Sequence, residues 1–373
     1  MKSTYAIQRK KTEVAMPTRR EFLENTAVAA AGMLATGRGL TRAFAQAQSA
    51  AERRVVTVAG KRVKVIDVHA HADIPEVGDV LKGTPLAGNV STRLRLSPDR
   101  IPLLDKRGID IQVLDINDFW WYAADRDLAT KIVDVHNQGL AAWCSKYPDR
   151  FVAVTSPALQ FPDLAAQQLE HAVKDLKMRG AAVGPHVQGE PLSSPKYDPF
   201  WAKAQELGVM VFVHPLDVPY VIKQDALKGR GDLNNIIGMP LETSLALSQL
   251  IFDGTFDRFP GLKICAAHGG GYMASYLGRT EVACTVRGNA NCANKKKPSE
   301  YLKTQIFVDS MVFSSEGIRH LVAEIGASQI VYGTDGPSLS WPDSIDNILA
   351  APISNAEKEA ILGGNLTKVL KLG

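Results

Sequence analysis

The sequence predicts an α/β chain closed into a (β/α)8, or TIM, barrel, and three observations carry that prediction. Eight short apolar runs fall between residues 63 and 333, with amphipathic, helix-like stretches between most of them. The first run ends in His69-Ala70-His71, where a doubly wound open sheet would be expected to carry a glycine-rich phosphate loop. Six of the eight runs end in a histidine or an aspartate, on the face where barrel active sites form.

The first 47 residues are set apart from this pattern. Arg9, Lys10 and Lys11 open a basic region, followed by Thr18-Arg19-Arg20-Glu21-Phe22-Leu23. A mildly apolar run, Ala27 to Ala35, leads to the small-x-small sites Ala43-Phe44-Ala45 and Ala45-Gln46-Ala47. The segment resembles a twin-arginine export signal, with Glu24 where such signals often carry Lys. The expectation is a signal peptide over 1–47, a barrel domain over 48–373, and export to the periplasm or beyond. The alternative is an amphipathic N-terminal helix on a cytoplasmic protein. Residues 1–45 hold eight Lys and Arg against three Glu, so the +4 of the whole chain becomes about −1 without them. No basic stripe remains for nucleic acid. Nothing after the N-terminus is apolar for long enough to predict stable membrane insertion.

The barrel strands are expected at 63–68, 111–116, 151–155, 180–184, 209–213, 262–267, 305–309 and 329–333, each a short β-branched or apolar run. Helices are expected at 126–146, 163–178, 198–207 and 242–252. The stretch from Asp73 to Arg100 is too long for a simple βα loop and is rich in Gly and Pro. Such a loop reads as a lid or substrate wall, and it carries Arg93 and Arg95 near its end. Four cysteines show no Cys-x-x-Cys spacing, which argues against a zinc-thiolate site. Cys265 reads as core, and Cys284 and Cys292 could pair in an oxidising compartment.

In a strand, residues i and i+2 point to one side, so His69 and His71 can aim at one point. His186 follows the fourth strand, His214 the fifth and His268 the sixth; Asp309 ends the seventh, and Asp335 follows the eighth. Five of the eight histidines thus stand at strand ends, while His136, His171 and His320 fall in helical stretches. A histidine pair, two single histidines and a carboxylate suit one divalent metal with an open position.

His69-Ala-His71, Phe212-Val-His214-Pro, Ala267-His268-Gly-Gly-Gly and Gly333-Thr-Asp335 resemble the amidohydrolase superfamily, a TIM barrel of the metal-dependent hydrolase type. Gly238-Met-Pro-x-Glu242-Thr, Arg258-Phe-Pro-x-Leu262-Lys and Gly364-Asn-Leu366 extend the likeness to the branch of aminocarboxymuconate-semialdehyde decarboxylase. The resemblance implies that His69, His71, His214 and Asp335 hold one Zn2+, with Mn2+ as the alternative. It implies a catalytic role for Asp335 and for His268, the latter as general base beside the metal rather than a main ligand. The fourth strand lacks the lysine of two-metal relatives, which implies a single ion. His186 matches the histidine after the fourth strand, as a substrate contact or as a support behind the site. Arg287 matches the arginine that a neighbouring subunit donates to hold a substrate carboxylate, which implies a homodimer. The arginine of the first long loop has no unambiguous match, with Arg93 or Arg95 as the candidates. Leu216 and the Gly336-Pro337-Ser338-Leu339-Ser340-Trp341 loop depart from the branch at substrate positions.

The expected function is therefore a metal-dependent, non-oxidative decarboxylase acting on an aromatic or unsaturated carboxylic acid through a metal-activated water. The alternative is hydrolysis of a lactone, ester or amide on the same site.

Overall fold

Strands buried on both faces need apolar residues at every position, and the eight runs supply them. The computed structural model describes residues 53–373 except 89–90, 92–93, 117–119, 216–221, 223, 337–343 and 373, with backbone alone at 115, 116, 224 and 225. The predicted export signal, Arg93, Leu216 and Pro337 to Trp341 lie outside the described residues.

A short antiparallel ribbon, β1 (Thr57–Val58) and β2 (Lys61–Arg62), precedes the barrel. The barrel strands are β3 (Ile66–His71), β4 (Ile111–Ile116), β5 (Phe151–Ala153), β6 (Gly180–Val183), β9 (Met210–Val213), β10 (Lys263–Ala266), β11 (Ile306–Asp309) and β12 (Ile330–Val331). A second ribbon, β7 (His186–Val187) with β8 (Glu190–Pro191), follows β6. Parallel pairing runs β3-β4-β5 and β6-β9-β10-β11-β12. Two seams join these sheets. Thr155 bridges Ala181, with Thr155 N donating to Gly180 O at 3.0 Å; Ala70 bridges Gly336, and Val68 N donates to Tyr332 O at 3.0 Å. All eight predicted strands are present, and the seams close them into a ring.

Alternation along the strands separates two cores. Ile66, Val68, Val113, Ala182, Met210, Phe212, Cys265, Phe307 and Val331 pack together inside the ring. The intervening residues, among them Val65, Leu114, Val183, Val211, Ile264, Val308 and Ile330, pack outward against the helices. Helices form at Arg126–Lys146 and Asp198–Leu207 as predicted. The helix expected over 163–178 is Pro162–Lys174, and Lys177 has left-handed backbone (φ 61°) in the turn beyond. The helix expected from 242 begins at Met239, because Pro240 sits in its first turn, where a missing N–H costs nothing.

The 73–100 stretch is less irregular than expected. It holds a short helix, Val77–Leu81, and buries Val77, Leu81 and Leu94. Cys284 and Cys292 form a disulfide, and Cys265 is fully buried. No helix among the described residues is long and apolar enough to cross a membrane.

Candidate metal centre

β3 delivers two histidines into the barrel mouth by breaking its own alternation. In a regular strand Val68 and His69 would face opposite ways. Here Val68 lies in the inner core, yet the His69 ring also meets the inner Phe212 ring edge-on at 5.1 Å. The register against β4 shifts on both sides of Ala70, and a bulge of this kind re-aims side chains. His214 continues the inward face of Phe212 one step past β9. His268 and Asp335 reach the mouth through left-handed backbone, φ 56° and 61°, a strained state for these residues that concentrates at functional sites. Gly271 follows His268 because a Cβ there would meet Pro240 O at 2.2 Å.

These residues converge. One ligand atom from each of His69, His214, His268 and Asp335 lies within 4.8 Å of all the others. His71 joins them, its Nε2 2.8 Å from Asp335 Oδ1 and its ring 4.9 Å from that of His214. His69 Nε2 comes within 3.1 Å of the same Asp335 oxygen without the alignment of a hydrogen bond.

Asp309, at the end of β11, takes His69 Nδ1 at 2.7 Å. A neutral ring donating from Nδ1 keeps its Nε2 lone pair facing the cluster, which is the tautomer a metal requires. His214 Nδ1 and His268 Nδ1 are buried with no hydrogen-bond partner among the described residues. His69 Nε2 is likewise unpartnered, 3.1 Å from the Asp335 carboxylate, and buried nitrogens left without partners are costly unless a cation takes them up. The donor set, imidazole plus carboxylate, fits a divalent transition metal.

The electrostatics are sharply divided. Burial, and then the neighbouring histidines, hold the His214 pKa well below its ordinary value. Burial likewise pushes His268 down to about 4. Burial opposes charge on His69 as well, but without a metal the Asp309 and Asp335 carboxylates outweigh it and hold that pKa well above the ordinary value, so a bound cation would displace the proton from Nε2. Asp335 is held far below the usual carboxylate range, because the close approach of His69 and the hydrogen bond with His71, with the attraction of both rings, overcome its burial.

The remaining predicted residues are placed differently. His186 is engaged by the protein: Gly189 N donates to its Nδ1 (3.1 Å), and its Nε2 lies 2.9 Å from the buried Glu242 carboxylate. Arg95 is exposed, and its backbone bridges Asp73. Arg287 is exposed at the end of the helix Leu277–Val286, within the loop that the disulfide closes.

Sequence reading gave no role to three supports. Asp67, fully buried two residues before His69, takes His69 N, Gln112 Nε2 and both Thr334 donors. Its spacing in Asp-x-His-x-His was the available signal. Arg100, also buried, donates to His71 O at 2.8 Å, and no local pattern marks it. Asp309 was visible only as a strand end.

Comparison with known proteins agrees with this architecture. An amidohydrolase family model matches residues 66–372. A 2-amino-3-carboxymuconate-6-semialdehyde decarboxylase from Dictyostelium discoideum is 34% identical over 284 residues, 74% of this chain and 77% of that protein. The crystal structure of a 2,6-dihydroxybenzoate decarboxylase from Rhizobium superposes with a TM-score of 0.72 at 27% identity, over 83% of this chain and 99% of that one. A dihydroxybenzoic acid decarboxylase from Polaromonas sp. JS666, crystallised with manganese and the inhibitor 2-nitroresorcinol, gives 0.71 at 25% identity over 83% and 97%. The sequence motifs, the closed barrel and the His/Asp cluster at its mouth all lead to one assignment: the chain belongs to the amidohydrolase family.

Proposed function

We propose that this protein is a metal-dependent, non-oxidative decarboxylase of a small aromatic or unsaturated carboxylic acid. The convergence of His69, His71, His214, His268 and Asp335 on one buried point carries the reading. Relatives that decarboxylate carboxymuconate and dihydroxybenzoate acids support it. His69, His71, His214 and Asp335 would hold one divalent cation, Zn2+ as first choice and Mn2+ as the alternative. When bound, that ion supplies a Lewis acid and an activated water.

In the reaction, the bond between the carboxylate and its carbon breaks, its electron pair stays on that carbon, a proton joins the carbon, and CO2 leaves. His268 and Asp335 are the groups placed to orient the water that would supply that proton and to steer its transfer to the carbon. Burial keeps the His268 ring neutral at neutral pH, with a free lone pair for a hydrogen bond from the water it orients. His186, with both ring nitrogens engaged, shapes the substrate wall. Arg95 on the long first loop and Arg93 beside it in sequence are candidates to meet the substrate's anionic end, as is Arg287 of a second copy.

The homodimer belongs to the same reading. Ile236, Ile237, Leu245, Tyr276, Val282 and Val286 are large apolar side chains left exposed between residues 236 and 286, and a second copy would cover them. Export by the twin-arginine signal, with cleavage near residue 47, completes it; the Cys284–Cys292 disulfide suits an oxidising compartment.

The test is CO2 release from a panel of hydroxybenzoic and muconate-type acids by the zinc-loaded enzyme, with a chelator control. Chelator-sensitive release is the expected result. Chelator-sensitive opening of lactones or esters, with no CO2 from any acid, would replace decarboxylation by hydrolysis.

A further inference from the structure

We infer that Asp309 is a positioning residue that sets two parts of the centre at once, the His69 ring and the backbone turn that carries His268. The inference rests on the metal-centre reading above. The carboxylate is fully buried and has no lysine or arginine partner among the described residues. It is satisfied by four donors instead. Oδ2 accepts from His69 Nδ1 (2.7 Å) and His268 N (3.0 Å), and Oδ1 accepts from Gly269 N (2.8 Å) and Met311 N (3.1 Å).

Each bond has a separate consequence. The first fixes the His69 tautomer and ring plane. The second and third grip the turn in which His268 takes φ 56°, a conformation that persists only when the surroundings over-determine it. One carboxylate on β11 thereby sets the distance between a ligand from β3 and the proposed base after β10. An amide cannot replace it. Whichever way an asparagine is oriented, its NH2 end meets two of the four donors, so at least two bonds are lost.

The experiment compares wild type with Asp309→Ala, which removes all four bonds, including the one to His69 that an asparagine could keep in one orientation. Zinc affinity is read by competition with a chromophoric chelator, and kcat is measured at saturating zinc. Removing a partner that orients a metal ligand costs about 10- to 100-fold in metal affinity, and a loss in that range is expected. Saturating zinc should leave kcat at least about 10-fold low, because the His268 turn is no longer held. Unchanged zinc affinity would overturn the role toward His69. Full recovery of kcat at saturating zinc would overturn the role toward His268.

A second measurement does not depend on the variant folding. In zinc-loaded wild type labelled with 15N-histidine, His69 should carry its proton on Nδ1. A proton on Nε2 instead would overturn the inference. Wild type that binds zinc tightly yet releases no CO2 from any acid would defeat the proposed reaction while leaving both zinc readouts standing.

Discussion

His71 Nε2 lies 2.8 Å from Asp335 Oδ1, and the same oxygen lies 3.1 Å from His69 Nε2. One carboxylate oxygen thus faces two imidazole nitrogens from a single bulged strand. Asp335→Asn keeps the shape and removes the charge. Loss of a ligand should cost more than loss of its outer partner, so zinc affinity should fall on the order of 100-fold or more. Chelator competition reads this directly. Retention of wild-type affinity would remove Asp335 from the ligand set.

Gly333 packs against His69 and Asp309. A Cβ at that position would stand 2.9 Å from His69 Cβ and 3.0 Å from Asp309 Cβ. Neither neighbour can yield, since both side chains are fully buried. Gly333→Ala should therefore cost about 1–3 kcal/mol of stability by overpacking. It should also weaken zinc binding by pushing His69 off Asp309. Thermal unfolding with and without chelator separates the two effects: the ligand-induced gain in Tm should shrink as well as the baseline.

The barrel was legible in the sequence because strands covered on both sides read as unbroken apolar runs. The strand ends were legible because a polar side chain directly after such a run must find a purpose at the mouth. The aim of His69 was anticipated from simple alternation, but its cause is different: the register shifts beside Ala70 turn it inward, against the face that alternation assigns. Asp309 could not be paired with His69 from sequence, because 240 residues separate them and only barrel closure brings them together. Arg100 was invisible for a related reason. Its partners are the carbonyls of His71 and Leu94 and the amide of Gln112, and backbone acceptors leave no residue-type signature.

Arg287 is exposed, while the proposed site needs a cation for the substrate's carboxylate. If a second copy supplies it, two inactive variants should complement. Asp335→Asn lacks a working centre but retains Arg287, and Arg287→Ala is the converse. Refolded together in equal amounts as a homodimer, they should form mixed dimers with one complete site, giving about a quarter of wild-type activity. Activity no higher than the sum of the separate variants would place Arg287 outside the neighbour's site.

His136 supplies a pH dependence that is independent of the metal. It is buried on the helix Arg126–Lys146, with its ring edge-on to Trp121 at 5.4 Å. Burial pushes its pKa from the ordinary 6.5 down to about 4, although a hydrogen bond involving the Ala72 backbone works the other way. Above pH 6.5 the ring is neutral in both folded and unfolded chains, and its contribution to stability is fully present. Between 6.5 and 4 the unfolded chain takes up a proton that the folded chain refuses, so stability falls as pH falls. The full depression corresponds to about 3 kcal/mol. Urea unfolding at pH 7 and pH 4.5, with chelator present so that metal release does not contribute, should show wild type losing about 2–3 kcal/mol more than His136→Gln over that interval. The variant should be the less stable chain at pH 7, since it gives up the packing against Trp121. Equal pH slopes for the two chains would mean that His136 takes up its proton in the folded barrel as readily as in the unfolded chain, and that burial does not depress its pKa.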